Sequence, residues 1–159
     1  MTERNLINDG SGHKMRTLFL DIETYSPTPI QHGVYKYAED VEVLLIAYAY
    51  DDEPVCVEQP DELSAVLEDQ TDVERVVIHN SNFERTVLAR AKNYRLELPI
   101  SKIYDTMAEA LLRALPASLD ALCKALGAPS DKMKDARGKK LISLFTSPHK
   151  AGKGGRCTK

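Results

Sequence analysis

The stretch of sequence that decides the fold lies at residues 17–26 and reads TLFLDIETYS. Its first half is mostly apolar, which predicts a short buried strand over residues 17–22. Side chains two positions apart on a strand point the same way, so Asp21 and Glu23 are expected on one face. Burying two neighbouring carboxylates is costly, and their charges repel each other. A cation lying between them is the simplest way to balance both effects.

The cation that best suits these two acids is a hard divalent metal. Carboxylate oxygens select Mg²⁺ or Mn²⁺, and no nearby cysteine or histidine pair favours zinc. A plainer interpretation carries equal weight at this point: the strand ends at Asp21, and Glu23 lies in a solvated turn.

The rest of the chain alternates between strand-like and helix-like segments. The segment with Pro27 and Pro29 is predicted to be a loop. Strands are predicted at 17–22, 41–50, 54–57, 75–78 and 103–105, and helices at 61–69, 82–93, 105–115, 118–126 and 136–145. The first three strands are expected to form an antiparallel meander. This order indicates an α/β fold, with a mixed sheet flanked by helices.

The composition is close to that of a typical globular protein. The chain has 159 residues, of which 43% are hydrophobic and 28% charged, enough for one domain with a real core. The longest apolar run, residues 43–50, is far shorter than the roughly 20 residues that cross a membrane. The N-terminus lacks a secretory signal, and the three cysteines form no C-x-x-C pair. We therefore expect a cytoplasmic protein without a membrane partner, a disulfide framework or cysteine-bound zinc.

Three parts are expected along the chain. Residues 1–14 are polar and contain two glycines, so they are predicted to be a disordered lead, which makes Met15 a candidate start. Residues 15–147 are expected to form the domain. Residues 148–159 are predicted to be a basic tail or linker, rich in glycine and lysine.

Charge is divided unevenly between the two ends of the chain. Residues 1–130 carry 12 Lys/Arg and 22 Asp/Glu, whereas residues 131–159 carry nine Lys/Arg and two acids. An acidic body suits metal binding, and a basic end suits contact with a polyanion. A solvated surface or a linker explains the basic end equally well. The candidates for contacts to a nucleic-acid backbone are Lys134, Arg137, Lys139 and Lys140.

A second polar block, HNSNFE at residues 79–84, follows the strand predicted at 75–78. The carboxyl end of a strand is the usual place for polar chemistry in open α/β sheets. A local role is the simpler interpretation: Asn80 or Ser81 caps the helix that follows, and Glu84 supports the cap and interacts with the helix dipole.

Together these blocks resemble a known superfamily. LFLDIETYS, VIHNSNFE and IYDTMAEALLRALPASLDALCKALG occur in the order found in proofreading 3′–5′ exonucleases with the ribonuclease H-like fold. More narrowly, DIETYSPTPIQHGVYKYAEDVEVLLIAYAYDD resembles the N-terminal exonuclease domain of phage and prophage family A DNA polymerases. The D-x-E motif alone is weak, but the three motifs in this order are a strong combination. The resemblance covers residues 15 to about 156.

The resemblance implies a fold, an activity and a metal site. The fold is a ribonuclease H-like mixed sheet, with three antiparallel strands plus parallel strands. The activity is hydrolysis of phosphodiester bonds at DNA 3′ ends by two Mg²⁺ or Mn²⁺ ions. The implied catalytic residues and metal ligands are Asp21, Glu23 and Glu84. Because Asp is commoner at the last of these positions, the longer Glu84 is a less certain ligand than Asp21.

The resemblance also implies contacts to the substrate and to partners. Thr24, Asn80 and Phe83 are the implied substrate-binding residues, although the Phe83 side chain is expected to pack in the core. Asp105 is expected to cap a helix with Thr106 rather than to bind metal. The implied partners are a single-stranded DNA 3′ end and a polymerase domain, in cis or in trans. A phage-encoded protein would act in the host cytoplasm.

One element of the family pattern is missing. The resemblance implies a third motif, Tyr or His four residues before an Asp, and none occurs downstream of Glu84. We therefore expect a truncated or split exonuclease domain that is weakly active or inactive alone and holds one metal ion or none. Two alternatives stay open: an inactive module of the same fold that binds nucleic acid or a polymerase, and a 3′–5′ exoribonuclease.

Overall fold

The computed structural model describes residues 15–60 and 72–129. Four predicted segments lie outside the described residues: the lead at 1–14, the helices at 61–69 and 136–145, and the tail at 148–159. Within the two described ranges, no helix is long and apolar enough to cross a membrane.

The described residues form a mixed sheet with short helices. The strands are β1 (Arg16–Tyr25), β2 (Glu42–Tyr50), β3 (Cys56–Glu58), β4 (Val73–Ile78) and β5 (Ile103–Asp105). The helices are α1 (Val34–Tyr37), α2 (Ser81–Leu88), α3 (Thr106–Leu112) and α4 (Leu119–Ala125). Short 3-10 turns precede α1 and β5, at Ile30–His32 and Ile100–Lys102.

The strand order in the sheet is β3-β2-β1-β4-β5. β2 pairs antiparallel with both β1 and β3, whereas β4 runs parallel to β1 and β5 runs parallel to β4. The predicted α/β arrangement, a three-stranded meander extended by parallel strands, is therefore confirmed. The order places β1 at the centre, with β4 beside it.

β1 has one buried face and one open face. Leu18, Leu20 and Ile22 are buried, and they alternate with side chains that point the other way. The strand does not end at Asp21, because it continues to Tyr25 and Glu23 pairs with Leu45 on β2. The plainer interpretation, with Glu23 in a solvated turn, is wrong. The two acids share the face of β1 that points away from the core.

The hydrophobic core lies on one face of the sheet. Strand residues such as Ile46 and Val76 pack there with Val87 and Leu88 of α2 and with Tyr37 of α1. On the opposite face the exposed fractions stay high. They are 44% for Phe19, 39% for Leu45, 60% for Val57 and 37% for Tyr104.

The helix predicted at 82–93 is shorter in the structure, because α2 ends at Leu88. The chain then turns toward the beginning of β2. Lys92 donates its backbone N–H to the carbonyl oxygen of Val41, and the Asn93 side chain binds both the amide and the carbonyl of Val43, at 2.9 and 2.8 Å. These long-range bonds replace the last turn of the predicted helix.

The helix predicted at 105–115 also ends early, at Leu112. Ala114 adopts a left-handed conformation with φ 55°. The amides of Ala114 and Leu115 donate to the carbonyls of Leu111 and Ala110, which closes the helix as a Schellman motif. α4 ends in the same way at Gly127, as the sequence predicted.

The segment predicted to be a loop around Pro27 and Pro29 contains two short helical turns instead. The Ser26 hydroxyl donates to the carbonyl oxygen of Tyr37 at 2.8 Å, which ties the ends of this segment together. α1 has only four residues, too few for an apolar periodicity to reveal it.

Candidate functional site

The candidate site lies where β1, β4 and β5 come together at one edge of the sheet. Phe19 pairs with Val77 in the parallel ladder, so Asp21 and His79, each two residues further on, lie side by side. A cavity of about 350 Å³ opens here, lined mostly by apolar side chains together with Asp21, His79 and Thr106. Its volume is in the range of sites that hold small ligands.

The two acids of β1 occupy the open side of this edge. Asp21 is exposed and Glu23 is half-buried. The prediction that they share one face is confirmed by the alternation along β1. Their role as metal ligands stays a prediction.

Glu84 lies in the first turn of α2 and is only 5% exposed. Burial raises the pKa of its carboxyl to about 8, and the negative charges of Asp21 and Asp105 add to this effect. Within the described part of the chain, its Oε2 atom is buried and has no hydrogen-bond partner. Glu84 is therefore protonated at neutral pH unless a cation approaches. The interpretation that Glu84 supports the cap and interacts with the helix dipole stays a prediction; its place in the first turn is compatible with it.

Asn80 forms the turn between β4 and α2 in a left-handed conformation. Its φ of 72° and ψ of 54° lie in a region that Asn adopts more readily than most residues other than glycine. Its side chain makes no capping hydrogen bond, and the residue is exposed. The predicted side-chain cap by Asn80 is therefore absent.

Asp105 is the most heavily hydrogen-bonded acid at this edge. Its Oδ1 accepts from the amides of Asn80, Met107 and Ala108, at 3.1, 2.9 and 3.3 Å. Its Oδ2 accepts from the amide and the hydroxyl of Ser81, both at 2.8 Å. The predicted cap of α3 is confirmed. Both oxygens already accept hydrogen bonds, which is compatible with the expectation that Asp105 caps the helix rather than binds metal.

The same hydrogen bonds set the ionisation of Asp105. Burial would raise the pKa of this carboxyl, but donation from Ser81, Ala108 and Asn80 outweighs it and holds the pKa below its ordinary value. Asp105 is thus ionised at neutral pH.

Sequence reasoning assigned no role to His79, which joins three parts of the edge. Its Nε2 lies 2.9 Å from the carbonyl oxygen of Ala117, and because a carbonyl only accepts, Nε2 carries a proton. Its Nδ1 lies 2.9 Å from the Thr106 hydroxyl, which also contacts the carbonyl of Ile78 at 3.2 Å. His79 thus ties the end of β4 to α3 and to the turn before α4. Only its place in the HNSNFE block could have signalled this.

The remaining predicted site residues are placed away from the open face. Thr24 is buried, and its hydroxyl is 2.8 Å from the Tyr37 hydroxyl; its role in substrate binding stays a prediction. Phe83 packs against the core, with its ring centroid 5.9 Å from that of Tyr37. Four predicted backbone contacts lie outside the described residues: Lys134, Arg137, Lys139 and Lys140.

Among the described residues, the acids at this edge do not form a complete set of metal ligands. Among residues 15–60 and 72–129, no group of three or more His, Cys, Asp or Glu side chains is arranged so that it could hold a metal ion. The donors nearest to that requirement are the carboxylates of Asp21 and Glu23 and the unpartnered Oε2 of Glu84.

Comparison with known sequences finds a DNA polymerase. No protein-family model matches the chain. A DNA polymerase of Bacillus phage SP02 is 38% identical over 149 residues, which is 87% of this chain. The match spans only 22% of the length of that polymerase.

Comparison with solved structures shows the fold. Brucella melitensis NrnC bound to pGG superposes with a TM-score of 0.51 at 16% identity, over 79% of this chain and 57% of NrnC. The family B DNA polymerase of the archaeon Pyrobaculum calidifontis superposes with a TM-score of 0.54 at 16% identity, over 84% of this chain and 21% of the polymerase. The ribonuclease H-like fold and the resemblance to part of a phage DNA polymerase are confirmed.

Proposed function

We propose that the chain is a metal-dependent 3′–5′ exonuclease domain of a phage-type DNA polymerase, which removes nucleotides from DNA 3′ ends. The observation that carries this proposal is Glu84, a buried acid with an unpartnered oxygen and a pKa of about 8 that lies close to Asp21. Stability alone disfavours such a group, and acids of this kind concentrate at functional sites.

A divalent cation fits the chemistry of these donors. The carboxylates supply hard oxygen ligands, and a cation would give Glu84 Oε2 the partner that it lacks. When bound, Mg²⁺ or Mn²⁺ supplies Lewis acidity and lowers the pKa of water. Among the described residues, no three acids are arranged so that they could hold a metal ion. Binding of a cation therefore requires side-chain movement.

The residues of the edge have separate roles in this proposal. Asp21 and Glu23 hold the cation from the open face of β1. Glu84 would release its proton to water on binding a cation, because a nearby positive charge favours the ionised carboxylate. Asn80 uses its exposed carboxamide to donate to a phosphate or sugar oxygen of the terminal nucleotide. Thr24 and Phe83 contribute by shaping the site from the core side.

The substrate and partner follow from the relatives. The sequence relative is a DNA polymerase, and the fold neighbour NrnC was solved bound to pGG, so a nucleic acid is the best-supported ligand. We assign DNA, presented as a single-stranded 3′ end by a polymerase domain in cis or in trans. The proposed site of action is the cytoplasm, that of the host if a phage encodes the protein.

The decisive measurement is Mn²⁺ binding, followed by electron paramagnetic resonance of the free ion. We expect the Asp21→Ala/Glu23→Ala variant to bind at least about tenfold more weakly than the wild type. Asp120→Ala is the matched control, because it removes an acid that is paired with Lys124 on α4, away from the site. Equal affinity in the wild type and the double variant would refute the metal site.

Digestion of 3′-labelled single-stranded DNA then tests the activity. We expect slow cleavage that depends on Mn²⁺, is lost in Asp21→Ala and persists in Asp120→Ala. A labelled RNA of the same sequence serves as the competing substrate. Faster cleavage of the RNA would replace the DNA assignment with an exoribonuclease.

A binding module without catalysis is the second candidate. It is favoured by the absence, within the described ranges, of a group of three acids that could hold a metal. The two candidates differ in one readout. A binding module holds DNA equally well in EDTA and in Mn²⁺, and it retains that affinity when Asp21 is replaced.

A further inference from the structure

We infer that Asp105 is a positioning residue, which ties the N-termini of α2 and α3 together and thereby holds Glu84 in place beside Asp21. The inference rests on the proposed function only in taking Glu84 as a ligand. The hydrogen bonds that support it are independent of any bound ion.

The first observation is that one carboxylate caps two helices. Asp105 precedes α3 and accepts from two amides of its first turn, as an ordinary N-cap does. It also accepts from the amides of Asn80 and Ser81, at the beginning of α2, and from the Ser81 hydroxyl. Asn80 occupies the cap position of α2, but its side chain makes no capping bond. The cap of α2 therefore comes from another element, 24 residues later in the chain.

The second observation is that the two helices begin at neighbouring points of the sheet. Ile78, at the end of β4, pairs directly with Asp105, at the end of β5. The chain then reverses through Asn80 in the left-handed region, which Asn tolerates better than most residues with a side chain. The bonds from Asp105 to the amides of Asn80 and Ser81 hold this turn.

The third observation links the cap to Glu84. Ser81 and Glu84 are three residues apart in α2, so they lie on the same side of its first turn. Both are buried. Fixing Ser81 against Asp105 through two bonds of 2.8 Å therefore also fixes the direction in which Glu84 leaves the helix. Without Asp105, the first turn of α2 is free to shift, and Glu84 with it.

The experiment compares Mn²⁺ affinity and backbone amide exchange in four proteins: wild type, Asp105→Asn, Ser81→Ala and Ser118→Ala. The Asn carboxamide replaces one acceptor oxygen with a donor, so it cannot keep all five bonds of Asp105. Ser81→Ala removes a single bond and no charge, and it serves if Asp105→Asn fails to fold. Ser118→Ala is the matched control, because Ser118 caps α4 through one bond to the Ala121 amide at 3.3 Å.

We expect Asp105→Asn to weaken Mn²⁺ binding about tenfold or more, in the range seen for groups that orient metal ligands. Ser81→Ala removes only one of the five bonds, so we expect it to weaken binding less than Asp105→Asn does. Ser118→Ala should stay within about twofold of the wild type. The amides of Asn80 and Ser81 should exchange faster with solvent in Asp105→Asn and keep their protection in Ser118→Ala.

Two results separate this inference from the proposed function. A folded Asp105→Asn protein with wild-type Mn²⁺ affinity and unchanged protection of Asn80 and Ser81 overturns the positioning role. If the wild type binds no Mn²⁺, the proposed function fails. The positioning role of Asp105 is then tested by amide exchange alone. Lost protection of the two amides then supports it, and unchanged protection refutes it.

Discussion

Two helices begin side by side at one edge of the sheet, and each has an acid near its first turn. The acid of α3, Asp105, is met by five donors and its pKa is lowered. The acid of α2, Glu84, is more deeply buried, has an oxygen without a hydrogen-bond partner in the described residues, and has a pKa of about 8. Both positions read as helix-start acids in the sequence. The difference lies in how fully their oxygens are satisfied, and it separates an acid that supports the fold from one that is available for a ligand.

The largest expected effect concerns Glu84 and pH. Its folded-state pKa of about 8 lies above its ordinary value of 4.5, so the folded protein holds this proton more tightly than the unfolded chain. The stabilisation is complete below about pH 4.5 and is lost as the pH rises toward 8. Relative to Glu84→Gln, which mimics the neutral acid, the wild type should lose at most roughly 5 kcal/mol of unfolding free energy across this range. Urea unfolding at several pH values measures it, and parallel pH curves would contradict the assignment.

The contribution of Asp105 to stability should depend on pH in the opposite direction. Asp105→Ala deletes the caps of two helices, so at pH 7 we expect a loss of about 2–4 kcal/mol in unfolding free energy. Because the pKa of Asp105 is lowered on folding, its contribution is present above its ordinary value of 3.8 and fades as the pH falls further. Ser118→Ala, which loses the single cap bond of α4, should cost about 1 kcal/mol in the same urea experiment. Equal losses in the two variants would mean that Asp105 serves one helix only.

Mn²⁺ should stabilise the folded protein only when Glu84 is present. At pH 8, an ion at about 100 times its dissociation constant stabilises the folded protein by about 2.7 kcal/mol. We expect this gain in the wild type and little of it in Glu84→Gln, as a shift of the thermal midpoint. A full gain in Glu84→Gln would show that the ion binds without Glu84.

The smallest expected effect tests whether the stability of α3 alone controls the site. Ala114 has a left-handed φ of 55° at the end of α3, so Ala114→Gly should stabilise the protein by about 1 kcal/mol. Gly127→Ala, at the matching position of α4, should destabilise it by a similar amount. Neither change should alter Mn²⁺ affinity. A rise in affinity with Ala114→Gly would mean that α3 acts through its overall stability and not through Asp105.

The sequence predicted those parts of the fold that depend on local patterns. The alternation through Asp21 and Glu23, the cap at Ser118 and the end of α4 at Gly127 were all readable, because each depends on a few neighbouring residues. The early end of α2 was not, since it depends on bonds between Asn93 and Val43, 50 residues apart. A helical pattern carries no information about such a competing partner.

The candidate site, too, could be predicted only in part. The order of the motifs along the chain indicated its candidate residues, but it did not predict the burial of Glu84 or the left-handed turn at Asn80. The turn at Asn80 and Ser81 is hydrogen-bonded to Asp105, which reaches Ser81 from 24 residues away. His79 was missed because its partners, Thr106 and Ala117, lie 27 and 38 residues further along the chain.

The central place of β1 has a consequence for the order of folding. During synthesis the antiparallel meander of β1, β2 and β3 can form as soon as Glu58 has emerged, since its contacts are close in sequence. β1 then presents an unpaired edge until β4 has been made, and the turn at Asn80 stays without its anchor until Asp105 arrives. Between Glu58 and Ile78, about 20 residues of translation at roughly 5–20 residues per second, the nascent chain has its first two acids on a half-built sheet. A slow codon or a bound chaperone in that interval would act on this exposed strand edge.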